Sequence, residues 1–159
     1  MDLPRVLAVW LHTVAFVMVW GYYGVLGRMI LPGLERTLER PAQASALAAI
    51  ERRALPLIVL SLALFTATGT YLLVVDPHYV GLGDFFASTW TTLMLMKHVV
   101  VVGLVVAGVY IDRLIRRACG EASEDSRESD LRRLALSAEG ATALGALIVL
   151  LTAVAQVAG

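Results

Sequence analysis

Four long apolar stretches constrain the fold of this chain more than any other feature of its sequence. They cover residues 6–31, 54–75, 85–111 and 134–158. Each exceeds the ~20 residues that an α-helix needs to cross a bilayer. A soluble helix bundle would need polar helix faces, which these stretches lack. We therefore predict an all-α integral membrane four-helix bundle, with one four-span transmembrane domain over residues 1–159.

Proline and glycine predict the ends of the first two helices. The first helix is predicted from Leu3 to Leu31, where Pro32-Gly33 stops it. Pro41 suits the first turn of the second helix, which would project from the membrane before entering it. Pro56 is a candidate kink within that helix, and Asp76-Pro77 ends it.

The last two helices are separated by a charged turn. The third helix is predicted to start near Phe85 and to continue past Asp112. The turn contains the single cysteine, Cys119, which excludes an internal disulfide. Ser129 or Asp130 could cap the fourth helix.

Small residues at helical spacing predict close helix packing within the membrane. Three glycines recur at every third position of the first helix, and the third and fourth helices each contain a pair four residues apart. These residues are Gly21, Gly24, Gly27, Gly103, Ala107, Ala141 and Gly145.

The basic residues predict the orientation of the bundle. Eleven arginines flank or lie in the first and third loops, whereas only Arg5 marks the opposite side. The positive-inside rule then places these two loops in the cytoplasm and both termini on the extracytoplasmic side. We predict a multi-pass protein of the bacterial inner (cytoplasmic) membrane, with the lipid bilayer as its surroundings. Because topology explains the arginines, nucleic-acid binding has no support.

Five ionisable residues lie within the predicted spans. A charge at membrane depth costs several kcal/mol, so each of these residues is a functional hypothesis. The residues are His12, Arg28, Lys97, His98 and Glu139. Arg28 and Glu139 both lie near the cytoplasmic ends of their helices, and we predict that they form a structural ion pair.

His12 and His98 are candidate metal ligands. They lie on helices that run in the same direction, at depths that differ by about 6 Å. Neutral imidazole binds iron and copper, and a haem needs one or two such ligands in an apolar pocket. Phe16 and Tyr23 share the face of His12, while Met94 shares the face of His98. The alternative is that each histidine only bonds the backbone of a neighbouring helix.

Lys97 has no carboxylate of this chain at its own depth. It could meet an anion from outside the polypeptide, such as a porphyrin propionate, a substrate carboxylate or a lipid phosphate. Alternatively it stays neutral or extends its stem toward the interface.

Met94 and His98 also suggest copper, because thioethers favour Cu(I). Met96 lies about 160° around the helix from both of them, since successive helical residues are about 100° apart. Only Met94 and His98 therefore share a face.

Three segments of the chain resemble a known family. They are "WLHTVAFVMVWGYYGVLG" in the first helix, "TATGTYLL" in the second and "STWTTLMLMKHVVVVGL" in the third. Together they resemble the copper-resistance D (CopD-like) membrane proteins and the related four-helix membrane protoporphyrinogen oxidases of bacteria. The resemblance rests on His12, Trp90, Lys97 and Thr68-Gly69.

The resemblance implies specific roles for two of these residues. In the oxidases the first-helix histidine is implicated as a ligand of b-type haem, and the third-helix lysine is needed for activity. His12 and Lys97 match those positions, which would make Lys97 a catalytic residue. In the copper-related family, members are associated with copper uptake or tolerance.

We therefore predict a b-type haem protein that transfers electrons, with His12 as the first iron ligand and His98 as the second. Phe16, Tyr23, Trp90 and Met94 would line the haem pocket. The protein would be a membrane oxidoreductase linked to a quinone or a porphyrin, alone, as a homo-oligomer or in a larger membrane complex. One alternative is copper transport or tolerance through Met94, His98 and His12. Another is a structural subunit of a larger complex.

Overall fold

The computed structural model describes residues 2–77, 86, 88–118 and 124–158. Within these ranges the chain forms helices and no strand. The elements are α1 (Leu3–Val25), a π-helical turn (Leu26–Ile30), α2 (Leu31–Thr37), α3 (Arg40–Val74), α4 (Thr89–Ala118) and α5 (Glu124–Ala158). The predicted helix start at Phe85 and the cysteine Cys119 lie outside the described residues.

Four helical segments are long and apolar enough to cross a membrane. They are Leu3–Thr37, Arg40–Val74, Thr89–Ala118 and Glu128–Val157. This result confirms the prediction of an all-α protein with four spans. Many large apolar side chains on the outside of the bundle are exposed, as lipid-facing side chains must be when lipid is the solvent.

The first span does not stop at Pro32-Gly33, so that prediction was wrong. The backbone N–H of Leu31 bonds to the carbonyl of Leu26, which closes a wider π-helical turn just before the proline. Pro32 then occupies the first turn of α2. The helical path therefore continues to Thr37.

Pro41 lies in the first turn of α3, as predicted, and Pro56 lies inside that helix. The predicted caps of the last helix were wrong, because α5 begins at Glu124 and contains both Ser129 and Asp130. The Ser129 hydroxyl donates to the carbonyl of Ser126 within the helix. Charged residues of this segment extend the helix beyond the membrane, which apolar patterning alone does not indicate.

The close packing predicted from small residues occurs where α1 meets α5. A Cβ on Gly27 would lie 3.1 Å from the Cβ of Ala138, so this contact depends on glycine. Further along, Trp20 donates its indole N–H to the Thr142 carbonyl at 2.9 Å, and its ring lies over Gly145. Gly21 has no such neighbour within 4 Å.

The two ends of the bundle differ in packing. We call the end with residue 2 and Val74 the terminal end, and the end with Arg40 and Ala118 the arginine-rich end. The largest fully buried side chains lie in the half toward the arginine-rich end; they are Leu26, Leu47, Ile111, Leu114, Ile115 and Leu134. An ion pair between Arg40 and Glu128 joins α3 to α5 at that end. The half toward the terminal end leaves room for a cavity.

Candidate functional site

His12 of α1 bonds to α3 through one ring nitrogen. Its Nδ1 lies 3.1 Å from the Phe65 carbonyl oxygen and 3.1 Å from the Thr68 hydroxyl. A carbonyl can only accept, so Nδ1 carries the hydrogen. The Thr68 hydroxyl donates in turn to the Leu64 carbonyl at 2.6 Å, which leaves its oxygen able to accept from His12.

This hydrogen bond fixes the tautomer of the neutral His12 ring. With the hydrogen on Nδ1, the lone pair is on Nε2, and Nε2 makes no hydrogen bond within the described part of the chain. Histidines that bind metals usually donate their other N–H to a carbonyl or carboxylate in this way. The His12 ring is therefore arranged as a metal ligand would be.

Two residues of α3 hold the His12 ring in place. The Phe65 ring stacks on it with centroids 4.1 Å apart and an interplanar angle of 19°. Gly69 provides the space, because a Cβ at that position would lie 2.9 Å from His12 Cε1. Thr68 and Gly69, which carried part of the family resemblance, thus have a physical role in positioning His12.

A cavity of about 370 Å³, here called the outer cavity, opens between the spans toward the terminal end. Five of the residues predicted from the sequence line it: His12, Trp90, Met94, Lys97 and His98. Side chains that are up to 86 positions apart in the sequence therefore surround one space.

His98 and Met94 contribute from neighbouring turns of α4. His98 Nδ1 donates to the Met94 carbonyl at 2.6 Å, so the lone pair of neutral His98 is also on Nε2. His98 is exposed and Met94 is half-buried. Met96, in contrast, does not line the outer cavity and is 50% exposed on the outside of the bundle.

Lys97 is half-buried and lines the outer cavity. Its ammonium makes no hydrogen bond or ion pair within the ranges that the structure describes. Asp76, a residue that the sequence analysis did not single out, lines the same cavity at its terminal end. The cavity thus combines two imidazoles, a thioether, a carboxylate, the Lys97 ammonium and the Arg5 guanidinium.

Phe16 and Tyr23 lie deeper than the outer cavity and do not line it. They line a second cavity of about 160 Å³, here called the inner cavity, toward the arginine-rich end. Most of its other walls are aliphatic side chains of α3 and α4. Phe65 and Val101 line both cavities.

Glu51 lines the inner cavity together with Asp112, and the sequence analysis overlooked both carboxylates as site residues. Only 8% of the Glu51 surface is exposed, and its carboxylate accepts a hydrogen bond from the Tyr22 hydroxyl. The sequence contained a signal, because Ala44, Leu47 and Glu51 follow the three- and four-residue spacing of one helix face. The surrounding charged residues obscured it.

Arg28 and Glu139 are both exposed. In the part of the chain that the structure describes, no ion pair joins Arg28 to Glu139, whereas Arg40 pairs with Glu128 and Arg116 pairs with Asp112. The backbones do approach each other here, since Gly27 packs on Ala138. The exposed positions of the two side chains place them on the outside of this helix contact.

No group of three or more His, Cys, Asp or Glu side chains within the described ranges could hold a metal ion by itself. The outer cavity offers the weaker set of two imidazoles and one thioether. Such a set suits Cu(I), which accepts nitrogen and soft sulfur ligands.

The family model for copper resistance protein D matches residues 48–155. The chain belongs to the copper resistance protein D family. The matched residues include Trp90, Met94, Lys97 and His98, whereas His12 precedes them. No curated protein and no solved structure matches the chain.

Family membership supports the copper alternative better than the haem prediction. The comparisons give no support to a relation with the protoporphyrinogen oxidases, to haem binding or to oxidoreductase activity. The ligand and catalytic roles assigned to His12, Lys97 and His98 stay predictions.

Proposed function

We propose that this protein is a copper-transport protein of the bacterial cytoplasmic membrane, and that it takes up Cu(I) in its outer cavity. The observation that carries the proposal is the juxtaposition of His12, Met94 and His98 around one cavity inside the spans. Both histidines donate Nδ1–H to a backbone carbonyl, which leaves Nε2 of each ring for a metal. The copper resistance protein D family supports copper as the cargo.

The donor set suits passage better than storage. Conduction requires binding that is favourable enough for an ion to enter and weak enough for it to leave. Two neutral nitrogens and one thioether attract Cu(I), whereas the nearby ammonium of Lys97 repels it. The cavity therefore binds copper without trapping it.

The predicted orientation of the bundle gives the side from which copper would enter. The positive-inside rule puts the arginine-rich end in the cytoplasm, so the outer cavity would receive copper from the extracytoplasmic side. Asp76 and Arg5 both line that end of the cavity, so a carboxylate and a guanidinium lie where copper would enter.

Copper uptake into sealed vesicles tests this function. The purified protein would be reconstituted into liposomes that contain a Cu(I) chelator, and Cu(I) would be supplied outside. We expect Cu(I) uptake above that of protein-free liposomes. In His12→Ala we expect the uptake rate to fall by about tenfold or more, because losing a ligand interaction of about 1.4 kcal/mol weakens binding about tenfold. Wild-type uptake equal to that of protein-free liposomes, from folded protein, would overturn the proposal.

Haem b is the second candidate, and the His12 geometry supports it as well. His12 would be the iron ligand through Nε2, and Lys97 would face a propionate; the group would supply one-electron chemistry when bound. An absorption spectrum separates the candidates. A Soret band that is lost in His12→Ala would support haem, whereas a colourless protein that retains copper would support the copper proposal.

A further inference from the structure

The outer and inner cavities follow one another along three spans. On α1 the outer cavity is lined by residues 5–13 and the inner cavity by residues 16–23. On α4 the outer cavity is lined by residues 90–101 and the inner cavity by residues 101–112. The order on α3 is the reverse, as an antiparallel helix requires. The two cavities are therefore stacked along the membrane normal.

Together they are long enough to cross the hydrocarbon layer. At a rise of about 1.5 Å per residue, Trp90 and Asp112 are about 33 Å apart along α4. The hydrocarbon core of a bilayer is about 30 Å thick. A species that passed from one cavity into the other would cross nearly the whole apolar layer.

Phe65 lies at the junction of the two cavities. Its side chain is only 8% exposed, and it lines both spaces together with Val101. The ring stacks on His12 on the outer side and packs against Phe16 on the inner side, with centroids 4.1 Å and 5.9 Å away. Phe65 is thus the bulkiest side chain at the junction.

We propose that the two cavities are the halves of one Cu(I) passage and that the Phe65 ring is the partition between them. The inference rests on the proposed copper transport. Cu(I) bound at His12 would lie next to the face of the partition, and rotation of the ring would open the way to the inner cavity. Aromatic faces attract cations, so Phe65, Phe16 and Tyr23 would lower the cost of the apolar section. Glu51 and Asp112 line the end of the inner cavity that is farther from Phe65, and their carboxylates, held by Tyr22 and Arg116, would be the next polar groups that a cation meets.

Access of Ag⁺, a soft monovalent thiol reagent, to the inner cavity tests the partition. A cysteine would be introduced by Ile58→Cys, which lines the inner cavity, in a Cys119→Ser background. Ag⁺ would be added to the terminal side of sealed vesicles, and the remaining free thiol would be labelled after denaturation. The matched control is Leu60→Cys, since Leu60 is 57% exposed on the outside of the bundle and lines neither cavity.

When Phe65→Ala is added, we expect Ag⁺ to modify the cysteine introduced by Ile58→Cys about tenfold faster. This is the effect of lowering the barrier to entry into the inner cavity by about 1.4 kcal/mol. The rate at Leu60→Cys should not change. Val101→Ala, which removes the smaller shared wall, should give a smaller increase and covers the case in which Phe65→Ala does not fold. An unchanged rate at Ile58→Cys in the folded variants, or an equal rise at Leu60→Cys, would overturn the partition.

The Ag⁺ experiment and the copper-uptake experiment can give opposite results. Ag⁺ access does not depend on copper transport, which the vesicle uptake of the wild-type protein measures separately. Uptake with an unchanged Ag⁺ rate in Phe65→Ala would leave copper transport in place and reject Phe65 as the partition. Absence of wild-type uptake would reject the copper function whatever the Ag⁺ rate.

Discussion

The His12 ring lies against the Phe65 ring, with centroids 4.1 Å apart, and also donates Nδ1–H to the Phe65 carbonyl. One residue of α3 therefore fixes both the plane and the tautomer of the histidine. Because the hydrogen bond uses Nδ1, the remaining nitrogen is available to a ligand. The predictions below depend on this arrangement and on the packing that supports it.

Gly69→Ala should weaken copper binding by displacing the His12 ring. The new Cβ would lie 2.9 Å from Cε1, so either the ring or the helix must shift. We expect a loss of about 1–3 kcal/mol in stability, typical of overpacking, and weaker Cu(I) binding in a competition titration. The matched control is Gly21→Ala, where no atom lies within 4 Å of the added group. Equal Cu(I) affinity in the two variants would contradict the proposed role of Gly69.

Met94→Leu should reduce Cu(I) affinity, whereas Met96→Leu should not. Met94 lines the outer cavity and Met96 faces away from it. Comparing the two substitutions therefore distinguishes the loss of a thioether ligand from the loss of an apolar side chain. Loss of one soft ligand is expected to weaken binding by about tenfold, or about 1.4 kcal/mol. Cu(I) competition titrations of both variants provide the measurement. If both substitutions lowered affinity equally, the thioether would have no specific role.

Lys97→Met should tighten Cu(I) binding and slow its release. Two like unit charges about 8 Å apart repel by about 2 kcal/mol at an effective dielectric constant of about 20. Removal of the ammonium is therefore expected to raise affinity by about tenfold or more, while Lys97→Arg keeps the charge and should stay near wild type. Stopped-flow release into a chelator measures the rate. Weaker binding in Lys97→Met would show instead that Lys97 helps to hold the ligand.

Gly145→Ala should destabilise the contact between α1 and α5. A Cβ there would overlap the Trp20 indole, whose N–H bonds to the Thr142 carbonyl. We expect a cost of about 1–3 kcal/mol, seen as a lower unfolding temperature in detergent. Gly140→Ala on the same helix meets nothing within 4 Å and should be neutral or stabilising by about 0.5–1 kcal/mol. The prediction fails if the two variants unfold at the same temperature.

Tyr22→Phe should destabilise the fold by leaving the Glu51 carboxylate without its partner. A buried acceptor that loses its hydrogen bond costs about 1–3 kcal/mol, and more when it is charged. Tyr71→Phe serves as the control, because Tyr71 is 38% exposed on α3. Chemical denaturation in detergent compares the two. A loss of stability no larger than that of the control would show that the hydrogen bond from Tyr22 contributes little.

Much of the fold could be predicted from the sequence because a long apolar segment in lipid must satisfy its own backbone hydrogen bonds, which an α-helix does. The four spans followed from this constraint, whereas the helix start near Pro41 followed from the preference of proline for the first turn of a helix. The predicted stop at Pro32 was wrong because a π-helical turn before a proline relieves the clash between its ring and the carbonyl of the preceding turn. No local sequence signal indicated that turn. The early start of α5 was missed because charged residues can extend a membrane helix into water.

The candidate site was predicted in part. His12, Lys97 and His98 were identified because an ionisable side chain inside a membrane is energetically unfavourable. The structure places all three around one cavity. Phe65 was missed because an apolar residue in an apolar helix has no distinguishing sequence signal; only the packing of α1 on α3 shows what it does. Phe16 and Tyr23 share the face of His12 but lie 4 and 11 residues further along α1, so they line the inner cavity; where one cavity ends and the next begins depends on packing that a single sequence does not determine.

The ligand environment of bound copper tests the central claim most directly. X-ray absorption of the Cu(I)-loaded protein reports the atoms bound to the metal. Our account predicts histidine nitrogen and methionine sulfur together in the wild-type protein, with a reduced nitrogen contribution in His12→Gln and loss of the sulfur in Met94→Leu. A copper environment that is the same in all three proteins, or a folded wild-type protein that binds no copper, would contradict it.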